Sequence, residues 1–555
     1  MTTHLERSKE AARRFLQSAL IVDDRHVPPD DSAGEEAEEL SDPSPFPADR
    51  VSESTPTSEA GPATETPTAD AQAEDAGAIP IDPERLTESF ASHGILCASL
   101  KPSPGDNMLA LVVAAGTRCD IVILDWHIDS SDLSVTALPL LDALTAPTGP
   151  RLRLVAIYTG DPKLGEIEDA IVGLEGVQKD GLFRYTRRGS RIVLLSKPEA
   201  GTKLVPGAEV VDVGDLPDRL IEEFAANAAG LVPAATMSAL GAVRENVNEL
   251  LSVLEARLDA GFVGHRLALP SPDDATDHLA ELIVSELASI ISEDDQRRSC
   301  TDLQAVQSWL DDISDAAIVP PSTRDILMTL NVHGGEKDGM KALAESSFGS
   351  NTEAKKFLTA DLTTRFMSKP DAIVADARFA HRMATVHAYG GGRPARVELG
   401  AIVRELATNI YFVCVLPLCD SVRLSGDVPA PFLPMKTVAS KPFHVALVAD
   451  EAPTFLRIVM KPSQIRMLVF PADGDLRCII SDETLRLRTS DGGEFEIVAR
   501  LKSAQAQRLA HELGTAFSRV GLNESEWQRK RAQREDDPVL VCLECSKSLE
   551  EESTQ

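Results

Sequence analysis

The chain has 555 residues, of which 43% are hydrophobic, and carries a formal net charge of −32 with an isoelectric point near 4.7. This length exceeds that of one ordinary domain, so two or three domains are expected. The negative charge argues against a nucleic-acid partner, because such binding depends on Lys and Arg side chains that neutralise phosphates. No apolar run approaches the ~20 residues of a membrane span, and the charged N-terminus has no signal-peptide region. We therefore predict a cytoplasmic protein that does not contact a membrane.

The first predicted strand is followed directly by two acidic residues. Ser18–Val22 is an apolar run, and Asp23 and Asp24 come after it. Residues 27–80 are then rich in Glu, Asp, Pro, Ser and Thr, so they can bury too little apolar surface to offset their ordering entropy. We predict a disordered acidic insert there, after which a helix at 83–93 and a second strand resume the folded pattern.

Three further apolar strands also end in polar residues. Strand 121–124 ends at Asp125, strand 152–158 ends at Thr159 and Gly160, and strand 191–195 ends at Ser196, Lys197 and Pro198. The consecutive aliphatic residues of the first of these favour burial on both faces of a parallel sheet. Parallel strands bring their carboxyl ends to one edge, where open α/β sheets bind their ligands. These polar residues are therefore expected to form one site.

The order of these strand ends is itself informative. An acidic pair, a single Asp, a Thr before a small residue and a Lys before Pro resemble the receiver domain of two-component response regulators. The resemblance covers about residues 1–230. It implies a flavodoxin-like α/β fold with a doubly wound, five-stranded parallel sheet. The alternative is an unrelated doubly wound fold in which these residues only cap strands.

The resemblance implies that Asp125 accepts a phosphoryl group from a histidine kinase. It also implies that Mg²⁺ is bound by Asp23, Asp24, Asp125 and the backbone carbonyl of His127. The residue types are consistent with this, because three carboxylates around one point repel each other unless a cation is present. Mg²⁺ prefers oxygen ligands and keeps waters that phosphate oxygens can replace.

Five more positions receive roles from the same resemblance. Thr159, Gly160 and Lys197 would bind the phosphoryl group and carry the switch, and Trp126 and Pro198 would flank the site. Lys197 suits this role because a compact ammonium group can pair with a carboxylate first and with a phosphoryl group later. The Thr159 hydroxyl could move toward the new phosphoryl oxygens.

Two features depart from the receiver pattern. Leu194 stands three positions before the lysine, where receivers usually carry an aromatic residue that relays the switch. Residues 128–131 also lack the usual turn after the phosphoacceptor strand. In addition, residues 178–190 are predicted to form a β-hairpin arm or a loop insertion beside the output face. Phosphorylation chemistry is therefore expected, together with an unusual route of transmission.

Beyond residue 230 the hydrophobic period changes twice. We predict a mainly helical region at 231–408, an α+β domain with antiparallel strands at 409–528, and a charged tail at 529–555. A helix at 399–407 is expected to lead into the α+β domain, and a helix at 504–520 to close it. The tail contains Cys542 and Cys545 as a lone CxxC pair, which lacks the second pair of a four-ligand zinc site.

Two functional hypotheses follow from this organisation. In the first, the chain is a signalling protein that acts as a phosphate sink or as a switch for a protein partner. The whole arrangement loosely resembles receiver proteins of Detocs-type anti-phage systems, and no enzyme activity beyond autodephosphorylation is expected. In the second, the C-terminal domain is an effector enzyme of unknown chemistry that the receiver regulates. A cavity lined by converging polar side chains in that domain would favour the second hypothesis.

Overall fold

The computed structural model describes residues 3–23, 83–101, 108–128, 135–146, 152–198, 207–315, 319–359, 361–387, 394–439, 442–448, 452–474 and 477–517. Asp24, the predicted insert at 27–80 and the predicted tail at 529–555 with Cys542 and Cys545 lie outside the described residues. The chain divides into two compact units, Met1–Ala342 and Leu343–Gln555. Among the described residues, none of the helices combines the length and apolar character needed to cross a bilayer.

The first unit is built on a parallel sheet whose strands are buried on both faces. Its five parallel strands are β1 (Ser18–Val22), β2 (Leu96–Leu100), β3 (Ile121–Leu124), β4 (Leu154–Thr159) and β7 (Ser190–Ser196). They are arranged in the order β2-β1-β3-β4-β7. All four residues of β3 are fully buried, because this strand lies between two neighbours and under helices on both faces.

Helices cover both faces of this sheet. They are α1 (His4–Phe15), α2 (Pro83–Ser92), α3 (Met108–Gly116), α4 (Leu138–Leu144), α5 (Leu164–Val172) and α6 (Leu216–Ala225). Residues of α1, α2 and α6 share one apolar core with alternate strand residues such as Ile121 and Ile123. Residues of α3, α4 and α5 share a second core with the strand residues between them, such as Val122 and Leu124. The doubly wound α/β fold is therefore confirmed.

The sheet has seven strands in total, two more than the predicted five. Residues 177–187 form an antiparallel hairpin of β5 (Val177–Lys179) and β6 (Arg184–Arg187), and β6 pairs with β7. This pairing occurs because β6 alternates, so that Tyr185 is fully buried opposite Ile192. The hairpin thus extends the sheet at the edge that β7 would otherwise leave open.

A buried charge network attaches this hairpin to α6. Glu223 on α6 is 3% exposed and accepts hydrogen bonds from the guanidinium groups of Arg184 (2.5 Å), Arg191 (2.9 Å) and Arg219. Burial raises the pKa of the Glu223 carboxyl, but the three guanidinium groups outweigh this effect and hold the pKa below its ordinary value. Glu223 is therefore charged at neutral pH and joins β6, β7 and α6.

We expect Glu223→Gln to destabilise the hairpin by about 3 kcal/mol at pH 7, because it leaves the buried Arg191 guanidinium and the partly buried Arg184 and Arg219 groups without their anionic partner. The folded-state pKa of Glu223 is lowered, so its contribution is present above pH ~4.5 and is lost as the pH falls through the folded value. The stability difference between wild type and variant should therefore shrink on acidification. Hydrogen exchange of the β6 and β7 amides at pH 7 and pH 4 measures both effects. A difference that is equal at the two pH values would contradict the proposed ionic role.

The rest of the first unit is helical, as predicted. Its helices are α7 (Leu231–Glu245), α8 (Val247–Val253), α9 (Asp259–Ala268), α10 (Asp274–Glu293), α11 (Asp295–Ser299), α12 (Leu303–Asp315), α13 (Pro321–His333) and α14 (Lys337–Leu343). Helix α7 packs against α1, where the Arg244 guanidinium lies over the Phe15 ring and also pairs with the buried Asp120 carboxylate. This contact connects the helical region to the sheet domain within one unit.

The second unit contains the predicted antiparallel α+β structure, and it also includes two helices from the region predicted at 231–408. Its first helices are α15 (Asn351–Thr359) and α16 (Lys369–Ala384). Its strands are β8 (Ala401–Glu405), β9 (Tyr411–Cys414), β10 (Asp427–Val438), β11 (Val445–Leu447), β12 (Thr454–Ile458), β13 (Arg466–Pro471), β14 (Arg486–Arg488) and β15 (Glu494–Arg500), followed by α17 (Ser503–Phe517). These strands form one antiparallel sheet in the order β11-β12-β10-β9-β8-β15-β14. Strand β13 pairs with β10 beside this path.

The helix predicted at 399–407 is wrong, because strand β8 occupies this stretch. Ala401, Ile402 and Val403 are fully buried, and β8 pairs with β9 on one side and β15 on the other. A short aliphatic run fits the middle of a sheet as well as a buried helix, so periodicity does not separate the two. The sheet consequently begins at Ala401, ahead of the boundary predicted at residue 409.

Candidate functional site

The carboxyl ends of four parallel strands meet at one edge of the first sheet. In the strand register, Val22 lies opposite Leu124, Leu124 opposite Ile157, and Thr159 opposite Ser196. The residues that follow these positions are therefore placed side by side. The structure thus brings together Asp23, Asp125, Thr159, Gly160 and Lys197, whereas Asp24 lies outside the described residues.

Lys197 lies at the centre of this group. Its Nζ atom is 2.7 Å from Asp125 Oδ2 and 3.0 Å from Asp23 Oδ2. Asp23 is fully buried, and Lys197 and Asp125 are 5% and 8% exposed. Burial lowers the pKa of Lys197, but the charges of Asp125 and Asp23 and their hydrogen bonds outweigh it, so the pKa is raised above its ordinary value. Lys197 therefore remains an ammonium group that holds two buried carboxylates together.

The second oxygen of Asp125 is held by the backbone. The Trp126 N–H donates to Asp125 Oδ1 at 2.7 Å, and the Asp125 N–H donates to the Val22 carbonyl at 3.0 Å. The Trp126 side chain is 7% exposed and packs in the core beneath α4. Trp126 therefore contacts Asp125 through its backbone N–H, whereas its ring packs in the core.

Thr159 and the residues next to it connect β4 to β7. Thr159 is 1% exposed, its hydroxyl accepts the Asp161 N–H at 3.1 Å, and its carbonyl accepts the Lys197 N–H at 2.9 Å. Gly160 and Pro198 are half-buried beside these two residues. The Thr159 hydroxyl is therefore positioned by the loop that follows it.

Two residues near the site are missing from the predicted set. Asp161 Oδ2 lies 2.8 Å from His127 Nε2, and Asp161 Oδ1 accepts the Lys163 N–H at 2.8 Å. The partly exposed His127–Asp161 pair thus joins the loops after β3 and β4 beside Asp125. Tyr158 lies beneath Lys197, with its ring centroid 5.7 Å from Nζ and its hydroxyl donating to the Val211 carbonyl. Asp161 could have been predicted as a site residue from its position, two residues after Thr159.

The donor set at this edge fits a hard cation. The carboxylates of Asp23 and Asp125 both lie within 3.0 Å of the Lys197 ammonium group, so they are close to each other. Two neighbouring carboxylates need a positive charge beside them, and Mg²⁺ prefers oxygen ligands of this kind. Within the described part of the chain, no group of three or more His, Cys, Asp and Glu side chains is arranged to hold a metal ion. The predicted third carboxylate, Asp24, lies outside that part.

The hairpin covers Leu194, the position where the receiver resemblance implies an aromatic relay. Leu194 is 2% exposed, and its N–H donates to the carbonyl of Phe183 in the hairpin turn at 3.0 Å. Phe183 is itself 4% exposed and adopts a φ of 57°, a left-handed conformation that is uncommon for a bulky residue. Any signal that passes through this edge must therefore involve the hairpin.

Comparison with known proteins agrees with this geometry. Residues 15–202 match a family described as the response receiver domain. No curated protein and no solved structure matches the chain. The match covers β1 to β7, all four strand ends and the hairpin. Together, the match and the arrangement at the sheet edge identify the N-terminal part of this chain as a response receiver domain.

Proposed function

We propose that this chain is a two-component signalling protein in which Asp125 accepts a phosphoryl group from a partner histidine kinase. The observation that carries the proposal is the buried pairing of Lys197 with Asp125 and Asp23 at the carboxyl edge of the receiver sheet. This arrangement supplies a nucleophilic carboxylate and a cation that can follow the charge from carboxylate to phosphoryl group. A cytoplasmic location is part of the same proposal.

In the transfer step, an Asp125 carboxylate oxygen attacks phosphorus, the new O–P bond forms and the bond to the donor histidine nitrogen breaks. Lys197 can exchange its contact with Asp125 for one with the phosphoryl oxygens, because its Nζ is already 2.7 Å from the nucleophilic carboxylate. The Thr159 hydroxyl can donate to the same oxygens once it leaves the Asp161 N–H. These two movements would change the contacts of β4 and β7.

A magnesium ion fits this proposal as the cofactor. Asp23, Asp24, Asp125 and the backbone carbonyl of His127 would hold it, and when bound it would neutralise the negative charge that accumulates during transfer. The partly exposed His127–Asp161 pair joins the loops that follow Asp125 and Thr159, and there it could restrict the approach of water to the phosphorylated carboxylate. A restricted approach favours a long-lived phosphoaspartate.

The output that we propose is a phosphate sink or a switch for a protein partner, with a role in anti-phage defence as one setting for it. The covered output edge at Leu194 and the hairpin supports a sink more than an exposed docking surface. The negative charge of the chain supports a partner other than nucleic acid. Enzyme activity beyond loss of the phosphoryl group is not part of the proposal.

The alternative of an effector enzyme predicted a cavity with converging polar groups in the second unit. Described residues of β13, the turn between β14 and β15, and Phe495 of β15 line an open depression of about 410 Å³. Its polar side chains already have partners, since Asp491 accepts from the Thr489 hydroxyl and Arg466 pairs with Glu405 at 3.0 Å. The depression does not favour catalysis, so the effector alternative remains a prediction.

The test is phosphorylation of the full chain by acetyl phosphate in the presence and absence of Mg²⁺. We expect a slower band in phosphate-affinity electrophoresis with 10-fold or greater yield when Mg²⁺ is present, because the carboxylates need a counterion during transfer. Addition of EDTA before the donor should prevent the band. If neither acetyl phosphate nor a panel of histidine kinases gives a shifted band with Mg²⁺, the phosphoacceptor proposal fails.

A further inference from the structure

Tyr158 lies between Lys197 and the part of the chain that leads into α6. It directly precedes Thr159 in β4 and is fully buried. Its ring centroid is 5.7 Å from Lys197 Nζ, and its hydroxyl donates to the Val211 carbonyl at 2.8 Å. The same side chain therefore contacts the cation of the site and a backbone carbonyl 53 positions further along the chain.

Burial strengthens both contacts of Tyr158. Burial and the nearby charges of Asp212 and Asp125 raise the pKa of the Tyr158 hydroxyl, so it stays a neutral donor at neutral pH. A buried hydroxyl without an acceptor is costly, which favours its contact with Val211. Lys197 is 5% exposed, and an ammonium group is attracted more strongly to a ring face where water is excluded. Movement of Lys197 therefore changes an interaction of the Tyr158 ring.

Residues 209–213, which we call the pre-α6 segment, also pair with the end of β7. The N–H of Ser196 donates to the Glu209 carbonyl at 2.9 Å, and the N–H of Val211 donates to the Ser196 carbonyl at 3.1 Å. Ser196 is the last residue of β7 and directly precedes the lysine of the site. Val211 is therefore held through its N–H by β7 and through its carbonyl by Tyr158.

The contacts of Tyr158 lie on the face of the sheet that α6 covers. Tyr158, Val211 and residues of α6 belong to one apolar core, whereas Leu194 belongs to the core on the other face. Helix α6 is joined to α1 by the ion pair of Glu222 with Lys9 at 2.7 Å, and α1 packs against α7. The pre-α6 segment is therefore connected through α6 and α1 to the helical region.

We infer that Tyr158 positions Lys197 for phosphoryl transfer and couples the movement of Lys197 to the pre-α6 segment. Its ring holds the ammonium group beside Asp125, and its hydroxyl holds the Val211 carbonyl. When Lys197 moves from Asp125 toward a phosphoryl group, the ring loses part of its contact and the pre-α6 segment is held less firmly. Tyr158 acts through Lys197 and is thus a positioning residue. The inference rests on the proposed phosphoacceptor role of Asp125 and adds a route to α6.

The first test measures the initial rate at which the full chain gains a phosphoryl adduct from acetyl phosphate and Mg²⁺. Tyr158→Leu should lower this rate 10-fold or more, because Lys197 loses the ring that positions it. Tyr158→Phe keeps the ring and should recover most of the rate. Tyr185→Phe is the matched control, since Tyr185 is also fully buried but lies on β6, and it should leave the rate unchanged. A Tyr158→Leu variant as fast as the wild type, or a Tyr158→Phe variant as slow as Tyr158→Leu, would overturn the positioning role.

The second test is hydrogen exchange of the Val211 N–H, with the β3 amides as the measure of global opening. Phosphorylation should speed exchange at Val211 3-fold or more in the wild type, and Tyr158→Phe should remove this response. Without donor, Asp125→Asn should also speed this exchange, because it takes one charged partner from Lys197, and Tyr158→Phe should again remove the effect. Responses that are absent, or equal with and without Tyr158→Phe, contradict the coupling. If the wild type gains no adduct, the phosphoacceptor proposal fails, and the Asp125→Asn comparison still decides this inference.

Discussion

Asp125→Asn is expected to abolish phosphorylation of this protein by acetyl phosphate and Mg²⁺. The amide keeps the size of the carboxyl group but removes the anionic oxygen that attacks phosphorus. It should also retain the fold, because the amide has nearly the shape of the carboxyl group and its single carbonyl oxygen can still accept one of the two hydrogen bonds, from Lys197 or from the Trp126 N–H. Intact-mass spectrometry after incubation with donor measures the result as loss of the phosphoryl adduct.

Asp169→Asn is the matched control for this experiment. Asp169 lies on α5 of the same domain and is exposed, so the substitution makes the same charge change away from the site. It should be phosphorylated like the wild type. If Asp125→Asn kept the phosphoryl adduct on the peptide that contains β3, Asp125 would not be the acceptor.

Lys197→Met should destabilise the receiver core by about 3–5 kcal/mol, because it leaves the Asp23 and Asp125 carboxylates buried without their cation. Magnesium should restore part of this loss in the variant, since a divalent cation can replace the missing charge between two carboxylates. The wild type should gain less from magnesium. Hydrogen exchange of the β1 and β3 amides, with and without Mg²⁺, measures both differences.

The control for this prediction is Lys163→Met. The Lys163 side chain is 65% exposed and pairs only with Glu166, three residues along the chain, among the contacts described for it. Exposed pairs of this kind contribute about 0–1 kcal/mol, so little change is expected. A Lys197→Met variant as stable as the wild type without Mg²⁺ would show that the buried pairing does not hold the site together.

Charged contacts connect the hairpin to the end of β7 that carries Lys197. The carbonyl of Glu209 accepts the N–H of Ser196, the residue before Lys197, and the Glu209 carboxylate pairs with Arg184 of β6 at 2.6 Å. The neighbouring guanidinium groups of Arg219 and Arg184 hold the pKa of Glu209 below its ordinary value. A change at the Lys197 end of β7 would therefore reach the hairpin through charged contacts, whereas receivers usually use an aromatic side chain at the position of Leu194.

The sequence alone was enough to predict which polar residues lie together. Aliphatic runs that end at Asp23, Asp125, Thr159 and Lys197 report strands buried on both faces, and parallel strands must bring their ends to one edge. The position of each polar residue along its own strand was therefore enough to predict that they meet. The structure brings Asp23, Asp125, Thr159 and Lys197 to one edge of the sheet, within the range of the family match, and their roles stay predictions.

Only the tertiary structure decided the contacts that local pattern does not encode. The His127–Asp161 pair joins two loops 34 positions apart, and nothing in either loop specifies the other. The hairpin could have been a free arm, but Tyr185 opposite Ile192 makes it part of the sheet. Strand β8 was mistaken for a helix because three buried aliphatic residues satisfy either structure, and only pairing with β9 and β15 selects the strand. The local sequence predicts which segments are buried, because it shows where apolar residues cluster. Which strand or loop a segment contacts depends on residues that are distant along the chain.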